Sequence, residues 1–589
     1  MIHFSILLTL FIPVFCALYL GTTSMFSVRS DADEHSISKF IQTSFALYLL
    51  SSFSTLALWA FGESESIWQI TPLITFKIDL PGLIYLCTIA ILTNIILFYC
   101  RRYLHRDPGY QRFFMVISMF VAGLTLVAFA GNFELIFAGW EFVGLSSYLL
   151  IGFYWHRPQA ARNANRAYYI YRVCDLGLLA AAFIAHLETS FCQQWALSLM
   201  ILIAVVGKSA QFPISYWLPR AMEGPTPSSA IFYGALSIHA GVFLLIRTFD
   251  IWFYAPGFVW VVGSLGLTTA IFATLFGRVQ ANIKGQIGYA SIAQVGIMLV
   301  ELAFGFPNLA LIHMTGNAFF RCFQLLVSPS VVAQQLQIHG ALLGEKIKSP
   351  LAIHHRLNTR VRDTLYLIAV NEAYLQNFFK FTFTKPIKYF WVIIVLALIV
   401  SSHVLLATSL LIALFAFSEK KSPFRVLSAV ALSNIIFAGT FEFEHKLIYL
   451  SGIGIAWLLC LDALRILSKQ EPIKSLSLFS GYFGRFPLAS TTMLLGILGI
   501  IGFPLSSTFW CEDQLLEQAI ASGWISVAVF AFMFALNGIT MIRMYSHLFW
   551  GKREHDQPDR SFDLSNLEMF SRVALFVLVN GLQIYLLKL

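Results

Sequence analysis

Charge is scarce in this sequence. Asp, Glu, Lys and Arg make up only 12% of its 589 residues, while hydrophobic residues make up 58%. Soluble domains carry about 25% charged residues, so a chain this poor in charge cannot coat itself for water. Catalytic signatures are lacking too. There is no Walker loop, no GxGxxG after a strand, no HExxH, no CxxC and no serine elbow, which argues against nucleotide-binding, zinc-protease, dithiol-redox and serine-hydrolase chemistry. The eight cysteines (16, 87, 100, 174, 192, 322, 460 and 511) have no metal-type spacing and lie mostly in apolar runs. They read as small hydrophobes. No cofactor is expected within the chain, and intrinsic catalysis is not indicated.

Apolar runs long enough to cross a bilayer recur along almost the whole length, with a mean hydropathy of +0.74. A spanning helix needs about 20 such residues. The reading is an all-α polytopic membrane protein with about 14–17 transmembrane helices. The formal charge of +9 then has nothing to do with nucleic acid, because the basic residues sit in short loops such as 101–112 and 156–166, where they set orientation. Helix parity puts the N-terminus outside, on the periplasmic face of an inner (plasma) membrane. The first helix has an uncharged start and no small-residue cleavage site, so it is expected to be retained.

Four regions are expected: N-terminal membrane helices over 1–110, a first half over 111–335, a basic amphipathic segment over 336–386, and a second half over 387–589. The third holds His354, His355, Arg356, Arg360, Arg362, Lys380 and Lys385. It is too charged to span and reads as cytoplasmic, lying along lipid or against a partner. An internal repeat links the halves: GKSAQFPISYW at 207–217 and GIIGFPLSSTFW at 499–510. Each puts a proline where a helix should continue, freeing a carbonyl at membrane depth. Paired broken helices in two halves point to a transport pathway.

Ionisable residues inside apolar runs are costly, roughly 2.5–3.5 kcal/mol each at a helix centre, and so mark candidate sites. Glu134 and Glu141, seven residues apart, share a helix face; a structural hydrogen bond is the other reading of each. Arg172 and Asp175 are three apart and close enough to pair locally. Lys208 precedes the first proline break and reads as a proton carrier or as a snorkelling lysine. Lys284 begins the helix that Glu301 ends, and His239 lies within the helix expected over 228–248, after the break. His313, Asn317 and Arg321 repeat at four-residue spacing, a polar stripe on an apolar helix.

The stretches GWEFVGLSSYLLIGFYWHRP, RVCDLGLL, GKSAQFPISYWLPRAMEGPTPSSA and IKGQIGYASIAQVGIM resemble the proton-translocating antiporter-like subunits, which include subunit L of NADH-quinone oxidoreductase and the large subunit of multisubunit sodium/proton antiporters. That resemblance covers residues 80–330, and more weakly 485–550. It implies inverted repeats, with Glu141, Lys208 and Lys284 as path residues and Asp175 and His313 on matching positions. The departures are Tyr233 where the family has a histidine (His239 lies six residues on), Asn317 for a second histidine, and Arg321 for a lysine. At the second break Glu512 precedes Asp513, where the respiratory subunit has a lysine before an aspartate. No long lateral helix is expected after the last span. With the basic insert, these departures resemble the membrane subunit of the DAB-type inorganic-carbon transporters. That implies a cytoplasmic, zinc-containing, carbonic-anhydrase-like partner, and a path in which Glu512, Asp513, Arg321 and Glu134 couple cation flow to the partner's chemistry.

Overall fold

The computed structural model describes residues 1–23, 31–62, 66–71, 74–185, 191–328, 358–375, 404–470, 475–552 and 565–587. Helices α1 (Ile2–Thr23) and α2 (Asp31–Gly62) lead into strands β1 (Ser66–Thr71) and β2 (Ile74–Ile78), followed by α3 (Leu80–Tyr103), α4 (Tyr110–Phe129), α5 (Phe133–Ile151) and α6 (Pro158–Ile184). Next come α7 (Phe191–Lys208), short pieces at Trp217–Arg220 and Thr226–Ser229, a π-turn at Ala230–Ala235, α8 (Ala240–Arg247) and a short piece at Phe249–Phe253. Helices α9 (Phe258–Arg278), α10 (Ile283–Ala303), α11 (Pro307–Val327) and α12 (Thr359–Val370) follow. The chain continues with α13 (Val404–Ser418), α14 (Pro423–Gly439), α15 (Lys446–Gln470), α16 (Pro487–Ile500), α17 (Ser507–Ala521), α18 (Trp524–Phe549) and α19 (Asn566–Leu586).

Twelve described helices are long and apolar enough to cross a membrane, and four shorter apolar helices accompany them. This is the polytopic helical architecture expected from composition. The hairpin was not expected. Its strands, SIWQIT and ITFKI, pair antiparallel with Trp68 opposite Phe76, in a stretch the hydropathy pattern leaves as a plain loop. Aromatic and β-branched residues suit a pleated ribbon. Asp79 caps α3 by accepting from Gly82 N at 3.0 Å.

Two compact units make up the fold. One comprises Met1–Glu188 and Lys388–Leu589, the other Thr189–Ile387. Within the first, α1 meets α2 through hydroxyls, Thr9 Oγ1 to Ser51 Oγ at 2.6 Å and Ser5 Oγ to Thr55 Oγ1 at 2.7 Å. Helices α4 and α5 touch at glycines: a Cβ on Gly123 would lie 2.8 Å from Gly139 O. In the second unit α9 and α10 meet in the same way, and a Cβ on Gly296 would lie 2.6 Å from Gly266 O. Where lipid offers no hydrophobic contrast, hydroxyls and close glycine contacts bind helices together. Outward faces are apolar instead; Phe4, Phe11 and Leu18 of α1 and Leu578 and Leu582 of α19 are all exposed, as an acyl-chain environment requires.

Of the amphipathic segment, residues 358–375 are described; His354, His355, Arg356, Lys380 and Lys385 lie outside the described residues.

Candidate functional site

The first unit gathers Glu134, Glu141, Asp175, Glu512 and Asp513; the second holds Lys208, His239, Lys284, His313 and Arg321. Each set forms around a broken helix.

In the first unit α5 places Glu141, α6 places Arg172 and Asp175, and the second break places Glu512. Helix α5 starts at Asn132, whose side chain accepts from Leu135 N, so Glu134 falls in the first turn and Glu141 two turns on. Arg172 Nη1 donates to Glu141 Oε1 at 2.9 Å with both side chains buried. Its Nη2 donates to Ile501 O at 2.7 Å, and its guanidinium lies 3.6 Å from the Phe534 ring centroid. The local Arg172–Asp175 pairing that spacing allowed is not how the arginine is used. It reaches across to α5, while Asp175 accepts from the Trp140 indole N–H at 2.7 Å. Facing neighbours outcompete a partner on the same helix because guanidinium and carboxylate meet there with better geometry and more contacts.

Glu512 is buried and within electrostatic reach of Arg172 and Glu141. Its carboxylate lies against Gly502, whose φ of +63° and lack of Cβ make room for it. Glu134, Glu512 and Asp513 line one small cavity with Phe509 and Trp510. The break between α16 and α17 is closed by one backbone bond, Phe503 N to Leu498 O at 3.0 Å, and by side chains: Asn434 Nδ2 donates to Ile500 O at 3.1 Å, Arg172 to Ile501 O, and Thr508 Oγ1 to Gly499 O at 2.7 Å. At the start of α17, Ser507 N donates to Asn580 Oδ1 at 2.8 Å and Ser507 Oγ to Gln583 Oε1 at 2.6 Å. Arg172 thus pairs with Glu141 and lies within electrostatic reach of Glu512 and Asp175 at a helix break. Buried excess negative charge is neutralised by taking up protons or cations.

In the second unit Lys208, fully buried, ends α7 at the first break. That break is closed mainly by backbone and neutral groups: Ser209 N to Val205 O at 2.9 Å, Gln211 N to Val206 O at 3.0 Å, Ser209 Oγ to Ile238 O at 2.6 Å, and Phe212 N to Thr269 Oγ1 at 3.1 Å. The expected continuous helix over 228–248 is itself interrupted, and His239 sits buried at the start of α8. Its Nδ1–H donates to Ala235 O, and its Nε2 lies 3.0 Å from Asn317 Nδ2. The α11 stripe is distributed along α10. His313 meets Glu301 Oε1 at 2.8 Å and Gln294 Oε1 at 2.9 Å, and Arg321 Nη2 donates to Ala290 O at 3.3 Å. Lys284, half-buried in the first turn of α10, is within electrostatic reach of Glu223.

Sequence reasoning gave Arg172 only a local role and passed over Trp140, Asn434, Asn580, Gln583 and Glu372. Neutral polar residues in apolar helices were the available signal. Among the described residues no group of three or more His, Cys, Asp or Glu could hold a metal ion.

Residues 130–342 match the family model described as NADH:quinone oxidoreductase/Mrp antiporter, TM, and residues 68–114 match that described as NADH-Ubiquinone oxidoreductase (complex I), chain 5 N-terminus. NADH-quinone oxidoreductase subunit L of Campylobacter jejuni is 34% identical over 305 residues, covering 49% of this chain and 51% of that protein. The Escherichia coli subunit L is 34% identical over 313 residues, covering 48% and 51%. The chain thus spans about half the length of the curated relatives it matches. A solved Mrp complex from Dietzia contains a chain similar in fold, with a TM-score of 0.50 at 14% identity over 85% of this chain and 75% of that one. Residues 130–342 are thus similar to the transmembrane family described as NADH:quinone oxidoreductase/Mrp antiporter, in a polytopic chain whose fold is antiporter-like.

Proposed function

We propose that the chain is a cation-conducting membrane subunit, with protons as the first candidate and Na⁺ as the second. The observation that carries the reading is the burial of Arg172 among Glu141, Glu512 and Asp175 at a helix break. A scaffold gains nothing from leaving carboxylates in excess over cations in apolar surroundings. A conducting path does, because the deficit is filled and emptied by the ion that moves. Lys208, Lys284, His239 and His313 supply the exchangeable groups of the second unit. The membrane potential suffices as a driving force, since one charge crossing ~100 mV supplies about 2.3 kcal/mol. The test is proton flux into liposomes holding the full chain, followed with an entrapped pH-sensitive dye. Glu141→Ala and Lys208→Ala should each abolish flux while the protein still inserts. Undiminished flux in both would sink the assignment.

The use of that conduction is proposed to be inorganic-carbon accumulation in an inner (plasma) membrane, with cation flow driving CO2 hydration in a cytoplasmic, zinc-containing, carbonic-anhydrase-like partner. What supports it is Glu512 before Asp513 at the second break and the basic segment after α11. Co-purification of a stoichiometric zinc protein tests it. The second reading is a pumping subunit of an NADH-quinone oxidoreductase or of a multisubunit sodium/proton antiporter. The names and 34% identity of the curated relatives favour it, and co-purifying redox subunits would select it.

A further inference from the structure

The amphipathic segment ends, in its described part, on a buried carboxylate. Helix α12 leaves Tyr366, Leu367 and Val370 exposed, yet Glu372 just beyond it is only 7% exposed. Glu372 Oε2 accepts from Arg220 Nη1 at 3.0 Å, and Oε1 accepts from the Tyr289 hydroxyl at 2.7 Å. The turn that delivers it is strained: Glu372, Ala373 and Tyr374 have φ of 50°, 53° and 57°, left-handed backbone that non-glycine residues rarely adopt. Strain of this kind persists only where surrounding contacts hold it. Here those contacts are a guanidinium and a phenol from two different elements.

Both elements matter to the charge path. Arg220 ends the short helix Trp217–Arg220 that follows the first break, and its Nη1 also donates to Tyr216 O at 2.6 Å. Three residues on is Glu223, the carboxylate within electrostatic reach of Lys284. Tyr289 stands on α10, five residues after Lys284. Glu372 therefore ties together the segment carrying Glu223 and the helix carrying Lys284, from a third position in the same unit.

We propose that Glu372 is a positioning residue for the Lys284 step. Its clamp on Arg220 and Tyr289 holds Lys284 and Glu223 in register, and docking of α12 thereby sets the conductance of the second unit. The proposal rests on the conduction reading. It makes α12 a control element, whose displacement by a competitor for the clamp slows ion flow.

The full chain in liposomes reports both halves of this proposal. Flux is read with the entrapped dye, and docking is read from labelling of Ala369→Cys, a buried position of α12, by a membrane-impermeant maleimide. Glu372→Ala should speed labelling and slow flux, each by about tenfold, as loss of hydrogen bonds to a charged partner predicts. Tyr289→Phe, which keeps the ion pair, should have a smaller effect on both. Swapping the charges, Arg220→Glu with Glu372→Arg, should recover part of both, which a non-specific folding defect would not allow. Unchanged labelling in Glu372→Ala overturns the clamp. Fast labelling with wild-type flux overturns its positioning role. If the unsubstituted chain conducts nothing, the conduction reading fails, and the labelling result still decides the clamp.

Discussion

The two broken helices share a Phe-Pro-x-Ser sequence and are closed by different means. At the first, the Ser209 carbonyl that Pro213 leaves free accepts from the nearby side chain of Gln211, Nε2 to O at 2.8 Å. At the second, Ile500 and Ile501 offer their carbonyls to side chains from distant helices, Asn434 and Arg172. A proline frees the carbonyl in both cases, so the motif alone does not say what fills the vacancy. The second break has recruited a charged residue as a brace, and that residue also neutralises Glu141. The charge on Glu141 and the helix geometry at the second break are therefore coupled through a single guanidinium. At the first break Lys208 lies beside a brace made of neutral groups.

That contrast can be broken most sharply at Arg172. Arg172→Leu removes a buried cation, a carbonyl partner and a cation–π contact together; losing one member of a buried pair costs about 3–5 kcal/mol. The expected outcome is a large fall in the thermal midpoint of the detergent-solubilised protein, monitored by intrinsic fluorescence. Next comes Gly502→Ala, which forces an L-residue into φ +63° and a methyl group into the Glu512 carboxylate. A cost of roughly 2 kcal/mol is expected from the backbone term with added crowding, and Glu512→Ala in the same background should relieve the crowding share. Asn580→Ala strips the side-chain acceptor from Ser507 at the start of α17; about 1 kcal/mol is expected, the usual worth of a helix cap, seen as a modest shift of the same midpoint. Lys208→Met should move the midpoint least, because the hydrogen bonds that close the first break are made by backbone and neutral groups. It should nevertheless abolish flux. If Lys208→Met unfolds the protein as Arg172→Leu does, the two breaks are braced alike and the comparison fails.

Much of this was legible before any coordinates. Long apolar runs specify membrane helices because the bilayer admits no unpaired backbone, and the twelve described spanning helices with four shorter ones follow from that requirement. The breaks were legible because proline cannot donate, and Glu141 and Lys208 stood out because charge is costly in apolar surroundings, whereas Glu512 was noticed only through the resemblance. Partners were less legible. Spacing offered Asp175 to Arg172, and the fold offered Glu141; the i, i+3 rule sees one helix at a time. His239 was placed inside a helix, whereas a π-turn ends just before it and turns its imidazole toward Asn317. The hairpin at 66–78 was invisible to a hydropathy window tuned to 20 residues.

By itself, then, the sequence determined the medium, the polytopic helical architecture and the places where charge enters the apolar interior, because those depend on transfer free energies that act residue by residue. Only the tertiary structure decided which charges face one another. Arg172 on Glu141, His313 on Glu301 and Glu372 on Arg220 are separated by 31, 12 and 152 residues. A guanidinium three residues from one carboxylate and 31 from another chooses by geometry, and geometry belongs to the packed helices.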